Sequence, residues 1–164
     1  MKNQDFTTTI LVDQTPKEAF DAINNVRGWW SEQIEGDTDK LNAVFNYHYK
    51  DVHAAQMKVI ELVPYTKVVW LVLNNYFNFI KDNSEWKGNK ISFEISEKDG
   101  KTQVTFTHWG LVPEYECYEI CFDAWSNYIK HSLRNLITTG KGEPNPKEGD
   151  GFNAQIVEKW NLQQ

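Results

Sequence analysis

The side chains that could do chemistry in this 164-residue chain are four histidines, two cysteines and many aromatic rings, with seven Trp, seven Tyr and nine Phe. His108 stands in Thr105-Phe106-Thr107-His108-Trp109, where strand alternation places it beside Val104 and Phe106 on an apolar face. An imidazole there could move a proton near neutral pH or anchor a ligand by one hydrogen bond. The commoner use is a buried histidine that satisfies a tyrosine or a backbone carbonyl. Neither a nucleophile nor a paired carboxylate lies near it in sequence, so no catalytic residue is assigned. His48 and His53 lie five apart around Asp51. Alternation sends odd and even positions to opposite faces, and no second ligand pair has metal-site spacing, so no metal is expected. Cys117 and Cys121 fall four apart in a helical stretch, where a disulfide would be strained. They read as reduced, small apolar fillers.

Trp29-Trp30, Trp86, Trp109 and Trp125 offer stacking surfaces, but Glu32, Glu35, Glu85 and a formal net charge of −6 argue against nucleic acid as a partner. An aromatic content of 14% suits a dense core or the lining of a pocket. The chain has no phosphate-cradling glycine loop, nucleophile elbow or dinucleotide fingerprint, so no cofactor is implied. No apolar run approaches the ~18–20 residues that span a bilayer, which excludes membrane insertion by a helix. Met1 to Phe6 lacks the apolar segment of a secretory signal, so the expectation is a soluble, cytoplasmic protein.

The elements that must position these residues follow from periodicity. Phe6 to Val12 alternates as a strand, and Thr15-Pro16-Lys17-Glu18 is a capping signal for a helix to Asn24. Ser31 to Asn42 reads as a polar loop. Period-two segments then run over Val44 to Tyr49, Ala55 to Val63, Val68 to Phe77, Lys90 to Glu97 and Thr102 to Trp109. Lys98-Asp99-Gly100-Lys101 and Pro64-Tyr65-Thr66 are tight turns, so these strands are antiparallel neighbours. Asn78 to Gly88 is a longer loop over an edge or mouth of the sheet. After Pro113 the period becomes helical for about six turns. Tyr118, Cys121, Phe122, Trp125, Tyr128, Ile129, Ser132, Leu133 and Leu136 form its apolar stripe, and Gly140 stops it. Asn145 to Gly151 reads as a linker to a small docking helix carrying Phe152, Ile156, Val157 and Trp160.

Alternation proposes the inward faces as Phe45, Tyr47 and Tyr49; Ile91, Phe93 and Ile95; and Val104, Phe106 and His108. Both faces are apolar in the fourth strand, where Trp70 is placed inward in the set Val68, Trp70, Val72, Asn74 and Tyr76.

The succession Thr8-Thr9-Ile10-Leu11-Val12-Asp13-Gln14-Thr15-Pro16-Lys17-Glu18-Ala19-Phe20, Trp29-Trp30, Val59-Ile60-Glu61-Leu62-Val63-Pro64, Val68-Val69-Trp70, Thr105-Phe106-Thr107-His108-Trp109-Gly110-Leu111 and Trp125-Ser126-Asn127-Tyr128 resembles the START-like (SRPBCC, helix-grip) superfamily. Within it, the order is similar to the branch of the activator of heat-shock-protein ATPase. The resemblance implies an α+β helix-grip fold: a curved six-stranded antiparallel sheet wrapped around a long C-terminal helix, with two short helices after strand 1. It covers residues 5–142 and leaves 143–164 as a tail with a short docking helix. It also implies a cavity between sheet and helix but not its contents; alternation and the helix stripe line it with Trp30, Phe45, Tyr47, Trp70, Phe93, Phe106, His108, Cys121 and Trp125, and this aromatic lining makes a hydrophobic or aromatic small molecule the leading expectation. Two other functions stay open on this scaffold. One is an enzyme of cyclase, dehydratase or hydrolase type, with His108 or Tyr47 as proton donor. The other is a protein-binding module that uses the outer sheet face and the loop 78–88. A homodimer or another protein partner is compatible with each.

Overall fold

The computed structural model describes residues 5–149 and 151–162. Residues 1–4, which carry most of the reading against a secretory signal, and residues 150, 163 and 164 of the tail lie outside the described residues.

Strand β1 (Phe6–Val12) alternates strictly, with Phe6, Thr8, Ile10 and Val12 inward. Thr15 ends the turn that follows and starts helix α1 (Pro16–Asn24). Its hydroxyl accepts from the Glu18 N–H at 3.1 Å, and the Glu18 carboxylate accepts from the Thr15 N–H at 3.2 Å, a reciprocal capping box. A 3₁₀ turn (Val26–Gly28) then delivers Trp29 and Trp30 to the interior. Five strands follow: β2 (Val44–Tyr49), β3 (His53–Val63), β4 (Lys67–Phe77), β5 (Lys90–Lys98) and β6 (Lys101–Trp109). They pair antiparallel in the order β1-β6-β5-β4-β3-β2. Asp99 (φ 52°) and Gly100 (φ 78°) both take left-handed backbone between β5 and β6, the geometry that matches strand twist in a two-residue hairpin.

One inward set differs from simple alternation. Val72 pairs with Met57 and Asn74 with Gln56, so Leu73 is an extra residue bulged out of the ladder. A bulge reverses the side-chain parity of everything beyond it. Asn75 and Phe77 therefore turn inward, whereas Asn74 and Tyr76, which alternation puts beside Trp70, face out.

Helix α2 (Tyr118–Asn127), a π-helical segment (Tyr128–Leu133) and helix α3 (Arg134–Thr139) form one run over residues 118–139, roughly 33 Å long at 1.5 Å per residue. Gly140, at φ 84°, terminates it. The wider π turns shift the buried stripe along the run. Cys121, Trp125, Ile129, Leu133 and Ile137 are buried, while Leu136 is only half-buried. Phe122, expected on the stripe, is 48% exposed and meets the edge of the core through the Phe6 ring at 5.1 Å and the Tyr118 ring at 5.9 Å.

The core lies between the inner sheet face and this run. Trp70 stacks with both Trp29 (6.3 Å, 9°) and Trp30 (6.1 Å, 8°), and Trp30 stacks in turn on Tyr47 (4.3 Å, 19°). Beyond the long helix, Asn145 is buried and fixed rather than part of a linker. It forms a parallel bridge with Ser31, and its side-chain amide donates to the Trp30 carbonyl at 3.0 Å. Helix α4 (Phe152–Lys159) closes the described chain, with Ile156 and Val157 buried.

Candidate functional site

A cavity of about 50 Å³ opens at one end of the core, bounded by β2, β3 and β4, the loop 78–89, α2 and α4. Aromatic rings dominate its lining, and Trp30, Tyr47, Phe77, Trp86, Trp125 and Tyr128 form most of the wall. Ile120, Cys121, Ile156, Val157 and Leu162 add aliphatic and thiol surface, while His53 and Asn153 add polar atoms. Among the described residues, no Asp, Glu, Lys or Arg lines it. Four residues expected from sequence are on this wall: Trp30, Tyr47, Cys121 and Trp125. Phe45, Trp70, Phe93, Phe106 and His108 are fully buried behind it instead, because the tryptophan column fills the middle of the space between sheet and helix.

His108 is occupied by its neighbours. The Trp125 indole N–H donates to Nδ1 at 3.1 Å, which assigns the proton to Nε2, and Nε2 donates to the Asn89 side-chain oxygen at 2.9 Å. Burial, with a smaller push from His53, holds its pKa at about 3, so it is neutral at pH 7. A histidine with both nitrogens engaged and a proton affinity this low is a structural connector between β6 and α2.

The histidine on the wall is His53, which a strand start at Ala55 leaves out. It shares the face of Ala55, Met57 and Val59, so extending the alternation by two residues would have found it. Its ring stacks on Phe77 (4.2 Å, 26°), meets the edges of Tyr47 and Trp86, and contacts Asn75 Oδ1 through Nε2 at 2.9 Å. Burial lowers its pKa to about 4, against a smaller opposing effect of Asn75.

Trp86 arrives by a different route. Glu85 accepts from the backbone N–H groups of Glu116 (2.8 Å) and Cys117 (3.1 Å), so its carboxylate caps the start of α2, where Cys117 has no side-chain cap bond of its own. That clamp pins the loop and turns the next residue inward, stacked on Trp125 at 5.7 Å. The Trp86 indole N–H is buried with no acceptor among the described residues.

A polar relay crosses the tail side. Tyr128 donates to Asn153 Oδ1 at 2.9 Å, Asn153 Nδ2 donates to the Tyr47 hydroxyl at 2.7 Å, and Asn145 Nδ2 donates to the Tyr128 hydroxyl at 2.7 Å. Burial pushes both phenol pKa values well up, so both stay protonated. The Cys117 thiol is likewise raised, first by its hydrogen bond with Cys121 and then by burial. Nothing in sequence marked Asn145 or Asn153, since an asparagine near glycine and proline reads as loop. Among the described residues no group of histidines, cysteines and carboxylates is arranged to hold a metal ion, and no helix is long and apolar enough to cross a membrane.

Neither a family model nor a curated protein matches the chain. Solved structures do. The Aha1 dimer from Colwellia psychrerythraea is 22% identical, with a TM-score of 0.68 over 85% of this chain and 99% of that one. The fold is a helix grip. DynU16, a protein of the dynemicin biosynthetic locus, matches at 12% identity and TM-score 0.63, covering 86% of this chain and 49% of its own. A conserved protein of unknown function from Enterococcus faecalis matches at 15% identity and TM-score 0.60. There the overlap is 100% of this chain, tail included, and 90% of that one. At these identities the likeness concerns architecture, and an architecture of this kind hosts unrelated functions.

Proposed function

We propose that this helix-grip protein binds an uncharged, mainly aromatic or apolar molecule carrying a hydrogen-bonding group, in the chamber between Trp30, Tyr47, Trp86, Trp125 and Tyr128. The observation that carries the reading is the chemistry of the lining. Its rings would bury an apolar body, and no Asp, Glu, Lys or Arg stands among the described residues that line it beside His53, Tyr47, Tyr49, Tyr128 and Cys121. A charged ligand would have to leave water for a wall with no counter-charge, at a cost of several kcal/mol. The unpaired Trp86 N–H adds a donor that a ligand oxygen or nitrogen would satisfy. A general acid or base is a poorer match, because burial keeps His53 and both phenols neutral over the working pH range.

The experiment is a fluorescence titration with the neutral probe N-phenyl-1-naphthylamine and the anionic 8-anilinonaphthalene-1-sulfonate, alongside native mass spectrometry of the purified protein. Saturable binding of the neutral probe, at least ~10-fold tighter than the anion, is expected from the cost of burying an unpaired charge. A protein that binds neither probe and carries no co-purifying neutral mass would overturn the reading.

A further inference from the structure

We propose that helix α4 is a displaceable lid, and that the ligand enters by taking over the space and hydrogen bonds that α4 now occupies. The inference rests on the ligand-binding reading above. Ligand sites usually offer ~300–1,000 Å³, whereas the cavity of about 50 Å³ holds one or two waters. Some part of the wall must therefore leave. Trp30, Trp125 and Trp86 are locked into stacked and tilted contacts, and Tyr47 is built into the sheet. The removable part is α4, which contributes Asn153, Ile156 and Val157, with Leu162 just beyond it.

Three observations make α4 the mobile piece. It has eight residues, and its N-cap residue Gly151 has no side chain, so the one first-turn N–H met by a side chain, that of Asn153, relies on the distant Asn145. Isolated helices under ~12–15 residues are marginal in water, so it is helical by virtue of docking. Its far end is held by one carboxylate, Asp123 on α2, which accepts from Lys159 Nζ at 2.6 Å and from the Trp160 indole N–H at 3.3 Å. Its near end is held by Phe152, edge-on to the Tyr128 ring at 5.4 Å, and by Asn153, whose backbone N–H donates to Asn145 Oδ1 at 2.8 Å and whose side-chain amide takes the Tyr128 proton and gives one to Tyr47.

That last arrangement defines what replaces it. When α4 leaves, Tyr128 offers a hydroxyl donor and Tyr47 an acceptor, side by side above an aromatic floor. The ligand class that satisfies both is an uncharged amide, or a hydroxy compound able to donate and accept, with an aromatic body. Because the closed state competes with the ligand, apparent affinity is the intrinsic affinity scaled by the fraction of molecules with α4 undocked.

The test uses the full chain and the variant Asp123→Ala, whose side chain does not line the cavity. Amide hydrogen exchange across residues 152–160 is measured with and without N-phenyl-1-naphthylamine, and probe affinity is measured for both proteins. The variant should exchange faster in this segment than wild type and bind the probe about 3–10-fold more tightly, the gain expected from a larger open fraction. Adding probe to wild type should speed exchange in 152–160 while protecting α2. Probe binding with unchanged or slowed exchange in 152–160, or equal affinity in the two proteins, would overturn the lid and leave the ligand-binding reading standing. Failure of both proteins to bind the probe, with no co-purifying neutral mass in either, would overturn the ligand-binding reading, and the lid with it.

Discussion

Replacing His108 by glutamine should remove about one proton from the acid unfolding of this protein while keeping the fold. His108 is fully buried, receives the Trp125 N–H on Nδ1 and donates from Nε2 to Asn89. Its folded pKa is lowered from 6.5 to about 3 by burial. Between those two values the unfolded chain takes up a proton that the folded chain refuses. Stability is therefore whole above about pH 6.5, falls as pH drops below it, and stops falling only near the folded pKa. The slope approaches ~1.4 kcal/mol per pH unit, so His108 alone removes roughly 2 kcal/mol between pH 7 and pH 5. That is a large fraction of a domain stability of ~5–15 kcal/mol. A glutamine keeps one donor and one acceptor and cannot be protonated in this range. His53, lowered to about 4, acts in the same direction but retains some exposed surface, which makes it the weaker contributor. Its effect and those of the carboxylates are common to both proteins and cancel in the comparison. Urea denaturation at pH 7, 6 and 5 reads the difference: wild type should lose ~2 kcal/mol more than His108→Gln over that range. Identical pH dependences would refute the argument, since they would mean that His108 is protonated in the folded protein.

Trp125→Ala should cost about 3–5 kcal/mol in chemical denaturation, because it opens a cavity and leaves His108 Nδ1 without its donor; a shift within ~0.5 kcal/mol of zero would place the ring outside the core. Glu85→Ala should cost about 1–2 kcal/mol and speed amide exchange at Glu116 and Cys117 roughly 10-fold, as the start of α2 loses its carboxylate cap. Unchanged exchange at those two amides would show that water caps the helix equally well.

Local chemistry reports itself in a linear chain, and that is the part of this protein legible from residues alone. Thr15-Pro16-Lys17-Glu18 forms the capping box it spells, and Asp99-Gly100 takes the left-handed turn its types favour. Gly140 stops the long run where the helical period ends. These outcomes depend on neighbours within a few residues, so their signals are complete in a short window. Alternation likewise assigns Phe45, Tyr47, Phe93 and Phe106 to the inner face, because the strand period is two whatever lies across the sheet.

Tertiary structure decided depth, and with it the site. Alternation says that a ring faces inward but not whether it meets another ring or a void, so His108 and Trp70 lie in filled core while His53, on the same sheet face, reaches the cavity. The bulge at Leu73 reverses parity in a strand whose two faces are equally apolar, leaving no pattern from which the reversal could be read. The π segment adds a residue to the helical period without a proline or glycine to announce it. Tyr47 and Asn153 are 106 positions apart, and Trp30 and Asn145 are 115 apart. Contacts at such separations exist only after the sheet has folded around the helix and the tail has docked, because chain connectivity does not encode which distant donor will find which buried acceptor.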